Sequence, residues 1–464
     1  MIECDYMKTN ELGKYLNINV ESEIEITGIT TSTKRTYPGC VLILIRGKNV
    51  NPNELLTPTI ISNCSLILSD DEMTDYIYIK DLKDKVFDIL DYFYFNKIHP
   101  FKIIGITGTE GKSSLADIIY QGLTSLKRKC LLLSNEQRHN DTYYTSLTTP
   151  SPEEIINAFK LCKRMNYQYL IMEVSCIGLS QKRIDSKIFD YLFLTNLHSD
   201  HLDYYDNLYH YHLSKINIFL ENIKGKKFIL KSAYDKYPHL FQKATNLTII
   251  DEADIKLKNM NLKHQVFKYK NEDYYCHLLF KQNRINIVFL IEFLKNLNYR
   301  NLFTLIKKIH SVKGRLDVIN FRPYIIIDYA HSPSSVENVL SQLSLLKQNR
   351  IIAVIGAGGD RDKTKRSLYG KSCLKYAEMT IVCNDNPRSE SPMEIARAIT
   401  NDDKEHFKII LNRKDAIKYA INQANIDDIV VIMGRGNEEY QYIGSQKIHL
   451  NDYEVAKKCL SNHL

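Results

Sequence analysis

Lys102-Ile-Ile-Gly-Ile-Thr-Gly-Thr-Glu-Gly-Lys-Ser-Ser-Leu115 is the stretch on which the fold turns. The run Lys102 to Thr107 reads as a buried strand. It passes directly into Gly108-Thr109-Glu110-Gly111-Lys112-Ser113-Ser114 and then into Leu115, Ile118, Ile119, Gly122 and Leu123, apolar positions at helical spacing. A strand, a glycine loop and a helix in that order make an anion cradle, because loop N–H groups and the helix N-terminus converge on one point. Lys112 brings a charge for the terminal phosphates of a nucleotide, and Ser113 a hydroxyl for Mg²⁺. The loop is not a strict Walker A pattern, since Ile106 stands where that pattern needs glycine. A plain glycine turn between strand and helix remains the alternative for these residues alone.

Working outward, glycine usage is informative because the chain has only 18 in 464 residues, about half the roughly 7% that is usual. They gather at Gly105, Gly108 and Gly111, at Gly356, Gly358 and Gly359, and at Gly434 and Gly436, each time just after a short apolar run. That is the strand-to-loop signature of an α/β sheet, whose ligands collect at the carboxyl ends of strands. Buried strands are expected at Lys102–Thr107, Tyr169–Val174 and Tyr191–Leu197. A second alternation follows Gly314-Arg315, with strands at Tyr324–Tyr329, Ile351–Ile355, Met379–Cys383 and Ile429–Met433. The length allows about three domains. The fold class expected is α/β in three parts: a small mixed α/β N-terminal domain (1–98), a central parallel-sheet P-loop domain (99–314) and a C-terminal Rossmann-like domain (315–464). In the first, a short helix is expected around Asn10 to Leu16 and strands at Ile24–Thr30 and Val41–Ile45.

Composition narrows the function classes. With 44% apolar and 25% charged residues the chain is ordinary globular protein. No apolar run approaches the roughly 18 residues of a membrane span, and Glu3, Asp5 and Glu11 speak against a secretory signal, so a cytoplasmic protein without membrane insertion is expected. The net charge of +8 is small and its basic residues are scattered, which argues against a nucleic-acid partner. Ten cysteines never form a CxxC pair and read as reduced, buried thiols.

Further strand ends carry candidate chemistry. Glu173 closes the run Tyr169-Leu-Ile-Met-Glu, and Thr195-Asn-Leu-His-Ser-Asp-His201-Leu-Asp203 follows another, offering oxygen and imidazole ligands. Taken alone, Glu173 serves equally as a cap or ion-pair partner, and His201 as a structural histidine. Downstream stand Asp328-Tyr-Ala-His-Ser-Pro333, Gly356-Ala-Gly-Gly-Asp-Arg361 and Asp385-Asn-Pro-Arg388-Ser-Glu390. Pro387 stiffens the last turn, and Arg388 offers the planar fork that matches a carboxylate. By itself that turn reads as surface.

Taken together and in order, these segments resemble the Mur ligases, ATP-dependent amide-bond synthetases of cell-wall peptide assembly, and within them the MurE type. The resemblance is carried by GTEGKSS at 108–114, TTP at 148–150, EVSCIGL at 173–179, TNLHSDHLDYY at 195–205, QNRIN at 282–286, GRLD at 314–317, DYAHSP at 328–333, GAGGDRDKTKR at 356–366, DNPRSE at 385–390 and GRGNEEYQ at 434–441. It implies ATP bound by Gly108, Thr109, Glu110, Gly111, Lys112, Ser113 and Ser114, with Asn283, Asn286, Arg315 and Asp328 on the nucleotide side. It implies one Mg²⁺ held by Ser113 and Glu173 and a second held by His201 and a carbamylated Lys215, with Lys112, Lys215 and His201 catalytic. It also implies a UDP-sugar peptide held by Thr148, Thr149, Ser175, Gln181 and Arg183, and a diamino acid, meso-diaminopimelate, held by Arg361, Asp385, Asn386, Arg388, Gly434 and Glu438. A monomer fits the family. As a bare feature Lys215 reads as a surface helix lysine, so its role rests on the resemblance alone.

The sequence departs from the family pattern in places. Thr30-Thr-Ser-Thr-Lys34 replaces an Asp-Ser-Arg triplet, and Lys48-Asn-Val-Asn-Pro-Asn53 lacks the family's His and Asp-Gly, so the uridine pocket does not carry over. Glu110 stands for an Asn, Cys176 and Ile177 for Ser and His, and Asn437 for a His. Two other readings are a Mur-ligase paralogue serving a different acceptor and a non-catalytic nucleotide-binding partner of another ligase. Folylpolyglutamate synthetases lack both the DNPR motif and the leading sugar-nucleotide domain.

Overall fold

The structure, a computed structural model, describes residues 7–47, 51–72, 76–136, 139–199 and 204–461. The chain divides into two compact units, Met1–Glu252 and Ala253–Leu464.

In the first unit, helix α1 (Thr9–Leu16) precedes β1 (Gly28–Thr30), β2 (Cys40–Leu44), β3 (Cys64–Ser69) and β4 (Ile77–Tyr78), which form a parallel sheet in that order. Helix α2 (Leu82–Phe95) then leads to β5 (Lys102–Thr107), β6 (Cys130–Ser134), β7 (Thr142–Tyr144), β8 (Tyr169–Glu173), β9 (Tyr191–Leu194), β10 (Lys226–Leu230) and β11 (Leu247–Ile250). These make a seven-stranded parallel sheet ordered β11-β10-β9-β5-β8-β6-β7. Strands buried on both faces read as continuous apolar runs, which is why IIGIT and LIM were legible. The order reverses beside β5, the switch point where an open α/β sheet leaves room for a ligand. One apolar cluster runs from Ile29 and Val41 through Phe87, Phe95 and Phe159 to Phe241, so both sheets of this unit share a core.

Local signals set the helices near the site. Helix α3 (Lys112–Ser125) starts at Gly111, whose φ of 78° suits a residue without Cβ. Helix α4 (Pro152–Met165) has a capping box, Ser151 with Glu154, and proline in its first turn. Helix α5 (Cys176–Ser180) is capped by Ser175, and α6 (Leu208–Glu221) by Asn207, whose side chain accepts from His210 N at 2.9 Å.

The second unit opens with an antiparallel sheet, β12 (Ile255–Met260), β13 (Gln265–Tyr269) and β14 (Glu272–Cys276), followed by α7 (Phe280–Asn296). Then β15 (Asp317–Phe321), β16 (Tyr324–Asp328), β17 (Ile351–Ile355), β18 (Met379–Val382), β19 (Phe407–Ile409) and β20 (Ile429–Met433) form a sheet ordered β15-β16-β20-β17-β18-β19. Only the β15–β16 pair is antiparallel. Residues 253–314 lie in this unit, where Leu262, Leu279 and Phe280 bury in one cluster with Ile326, Val336 and Leu340. Several expected strands end sooner than read, most by one residue and two by more. Tyr191–Leu197 ends at Leu194, and Ile24–Thr30 breaks at Thr27 into two short strands.

Candidate active site

In the first unit the site grows from the carboxyl ends of β5, β8 and β9. Gly108 has φ 139°, and a Cβ there would lie 2.0 Å from Thr195 Oγ1, so only glycine fits. The following turn is held from the end of β9. Thr195 Oγ1 donates to Glu110 O at 2.6 Å, Asn196 Nδ2 donates to the same carbonyl at 3.1 Å, and Asn196 Oδ1 accepts from the N–H of Thr109 (3.2 Å) and Glu110 (3.0 Å). Both residues are buried, so the loop is preformed. Lys112 Nζ lies back across it, donating to the carbonyls of Gly108 and Thr109 at 3.0 Å each. An ammonium so placed sits over the anion cradle that the loop and the α3 N-terminus create.

Two oxygens meet at the head of α3: Ser113 Oγ donates to Glu173 Oε2 at 2.8 Å, with Glu173 buried at the end of β8. From Glu173 the contacts continue. Its carbonyl accepts from Thr149 Oγ1 at 3.1 Å, and that hydroxyl accepts from Ser175 N at 2.8 Å. Arg183 Nη1 donates to Thr149 O at 2.6 Å while its Nε and Nη2 grip Gln181 Oε1 at 3.0 and 2.6 Å. The phosphate loop and four residues expected to hold the acceptor are thus one hydrogen-bonded assembly, with Thr148 beside Thr149 in the chain.

Lys215 is not the surface lysine that the bare sequence suggested. It is 1% exposed on α6, with Nζ 3.2 Å from the Tyr211 ring centroid, and the Tyr211 hydroxyl donates to Thr109 Oγ1 at 3.3 Å. One turn earlier, His212 bonds His198 O at 3.0 Å and the Tyr237 hydroxyl at 2.9 Å. Burial pushes its pKa down, against the pull of the His198 carbonyl, and its two bonds brace the loop after β9. His201 lies outside the described residues, as do residues 48–50 of the altered first-domain segment.

In the second unit, the ends of β16, β17, β18 and β20 converge. Asp328 accepts from Leu316 N at 2.8 Å and Ala330 N at 2.7 Å; burial raises its pKa, against the pull of Arg315 and these N–H groups. Arg315 stacks on Tyr329, 4.5 Å from the ring centroid. Gly434 has φ 110°, and a Cβ there would meet Asp385 Oδ2 at 2.7 Å. Glu438 Oε2 accepts from Asn386 Nδ2 at 3.0 Å and Oε1 from the Tyr329 hydroxyl at 3.3 Å. Burial, with Asp385 second, holds the Glu438 carboxyl above its usual range. Arg388, half-buried with φ 50°, gives Nη1 to Gly359 O at 2.5 Å; Arg361 is exposed. On α7, Asn283 Nδ2 donates to Leu279 O at 2.9 Å. Asn286 is fully buried, and its Nδ2 has no acceptor among the described residues.

These features test the groups the site is expected to take. Ser113 and Glu173 present hard oxygen donors at a helix N-terminus, which fits Mg²⁺ with phosphate oxygens completing its shell. The Asn286 amide is a buried donor awaiting an acceptor, as a nucleotide base supplies. Sequence reasoning missed several contributors: Thr195 and Asn196 as braces, and Tyr329 and Arg435 around Glu438. The signal for the first pair was their place directly after a strand facing the glycine loop.

Comparison with known proteins agrees in order and extent. Residues 106–304 match the Mur ligase middle domain and residues 314–436 the Mur ligase glutamate ligase domain. Curated relatives named UDP-N-acetylmuramoyl-L-alanyl-D-glutamate–2,6-diaminopimelate ligase include those of Bacillus cereus (28% identical, covering 95% of each chain) and Buchnera aphidicola (29%, covering 98% of each). A solved structure of a ligase of that name superposes with a TM-score of 0.73 at 22% identity over 99% of each chain. The MurF ligase of Thermotoga maritima in complex with ADP superposes at 0.63, with 15% identity over 94% of this chain and 97% of that one. At such identities the superpositions speak for the fold.

Proposed function

The chain belongs to the Mur ligase family, and from that premise we propose that it is an ATP-dependent amide-bond ligase adding meso-diaminopimelate to UDP-N-acetylmuramoyl-L-alanyl-D-glutamate. ADP and phosphate are the other products, and the pathway served is peptidoglycan precursor synthesis. The observation that carries this reading is the continuous chain Ser113–Glu173–Thr149–Arg183, which ties a phosphate loop to the residues that would hold a phosphorylated sugar peptide.

A peptide carboxylate is a poor electrophile and must first be activated. In this reading Thr148, Thr149, Ser175, Gln181 and Arg183 hold the acceptor so that its terminal carboxylate meets the γ-phosphorus of ATP. Lys112 and the 108–114 N–H groups carry the charge that accumulates there. Ser113 and Glu173, with His201 and a carbamylated Lys215, would hold Mg²⁺, which when bound neutralises phosphate charge. Asn283, Asn286, Arg315 and Asp328 hold the nucleoside end. The resulting acyl phosphate is attacked by the amine of the amino acid, which Arg361, Asp385, Asn386, Arg388, Gly434 and Glu438 orient. Arg388 is the selective element. Among the described residues its guanidinium has one partner, Gly359 O, so the rest of its fork is open to the second carboxylate of diaminopimelate, which lysine lacks.

The purified protein should release phosphate from ATP only with acceptor and amino acid together, and should turn over diaminopimelate with a higher kcat/KM than L-lysine. Lys112→Ala should lose about 2 kcal/mol of transition-state stabilisation, roughly 30-fold in rate. ATP hydrolysis that needs no acceptor and ignores Lys112→Ala would remove the assignment.

A further inference from the structure

Arg435 is among the largest fully buried side chains of the protein, at 0% exposure, set between Gly434 (φ 110°) and Gly436 (φ 51°). A guanidinium taken out of water must be hydrogen-bonded to be tolerated. Its two Nη groups are spent close to the amino-acid residues, while Nε has no acceptor among the described residues. Nη1 donates to Asn386 Oδ1 at 3.0 Å and lies 3.5 Å from Glu438 Oε2, and Nη2 donates to the carbonyls of Tyr440 at 2.9 Å and Leu450 at 3.0 Å.

The orientation of Asn386 follows from this. Its Oδ1 also receives Tyr442 N–H at 2.9 Å. Backbone N–H and guanidinium can only donate, so both fix the oxygen on their side and turn Nδ2 toward Glu438 Oε2, 3.0 Å away. One buried cation therefore sets the rotamer of one candidate ligand and lies against the carboxylate of another.

We propose that Arg435 is a positioning residue for the incoming amino acid: it locks Asn386 and keeps Glu438 an anionic, oriented acceptor for the substrate ammonium. This role rests on the ligase reading above. Lysine could not replace it, because a single ammonium cannot reach Asn386, Glu438 and two separate carbonyls at once. The charged and titratable groups facing Glu438 are Asp385, Arg435 and the Tyr329 hydroxyl, with Arg315 stacked behind Tyr329. Of these Asp385 raises the Glu438 pKa, while Arg435 and Tyr329 lower it, as does the Asn386 amide. Removing the Arg435 charge should thus move the acid limb of kcat/KM for the amino acid to higher pH.

The test compares wild type, Arg435→Met and Arg435→Lys for the KM of diaminopimelate, ATP and UDP-acceptor, the pH profile, and thermal unfolding. Arg435→Met should raise the KM for diaminopimelate at least tenfold, leave the other two KM values within about twofold, and shift the acid limb upward. Arg435→Lys, which keeps the charge, should restore the limb but not the full affinity. If Arg435→Met does not fold, the split between limb and KM in Arg435→Lys decides alone. Equal changes in all three KM values, or a lowered melting temperature with KM and limb unchanged, would overturn the role. A wild type that releases no phosphate with diaminopimelate removes the ligase reading and this role with it. Normal wild-type turnover beside unaffected variants removes only the role of Arg435.

Discussion

Lys215 shows what a single residue conceals in sequence. On α6, between polar and apolar neighbours, nothing marks it, yet the structure buries it to 1% exposure against Tyr211, which itself bonds Thr109 in the phosphate loop. Lysine is almost never fully buried unless its charge is used or answered. A carbamate on Nζ would convert the buried cation to an oxygen anion suited to Mg²⁺. Lys215→Ala should accordingly be nearly inactive, and a small added carboxylate should restore part of the rate by entering the vacated space. Wild-type turnover of Lys215→Ala at limiting Mg²⁺ would end that proposal. Arg435 was hidden in the same way: within GRGNEEYQ nothing sets it apart, and only its burial and its four partners do. Gly108 and Gly111 were legible because glycine in a glycine-poor chain marks backbone that other residues cannot adopt.

Among elements, the strands found from sequence were apolar runs that end in a glycine loop (β5, β17 and β20) or pass straight into a polar motif (β8, β9, β16 and β18), with β2 in the first sheet. Strand β6 is followed by Asn135-Glu136, and β10, which opens with two lysines, by Lys231-Ser232; neither carries a glycine loop or a polar motif, so nothing singled them out. Strand β12 was illegible for another reason: Lys256 to Asn259 is exposed, and no apolar face marks it. One loop can be tested directly. Glu390, at the end of DNPRSE, accepts two bonds of 2.9 Å from the buried Arg366 and one from Asp360 N, tying the turn after β18 to the loop after β17. The Arg366 hydrogen bonds, above all, hold its carboxyl down to about 2 from 4.5. A depressed acid stabilises the fold above its unfolded pKa and loses that contribution as pH falls through the folded value. Glu390→Gln should therefore melt below wild type at pH 6, and the gap should close between about pH 4.5 and pH 2. A gap constant across that range would show the ion pair to be inert.

For the whole molecule the open question is which acceptor the first unit receives. Within that unit the first sheet shares one core with the seven-stranded sheet. The altered loop Thr30–Lys34 is tied to the latter, since Thr31 N–H donates to the Glu153 carboxylate in the first turn of α4 and Thr30 Oγ1 accepts from Ser32 N at 3.1 Å. These bonds build a fixed loop without the arginine of the family's uridine pocket. Thr149, Ser175, Gln181 and Arg183 meanwhile form a hydrogen-bonded platform, which in the proposed reading would carry the phosphorylated sugar and its peptide. Affinity should thus rest on that platform more than on the uracil ring. UDP-N-acetylmuramoyl-L-Ala-D-Glu should be used, but replacing uracil by another base should change kcat/KM by less than about tenfold, the worth of about 1.4 kcal/mol. The measurement is competition between the uridine acceptor and analogues with another base or no nucleotide, with amide product followed by mass. A loss far beyond tenfold on changing the base would mean that other first-unit residues rebuilt the pocket. Exclusive use of the nucleotide-free acceptor would instead make the chain a Mur-ligase paralogue, because the platform would then be serving a different sugar peptide.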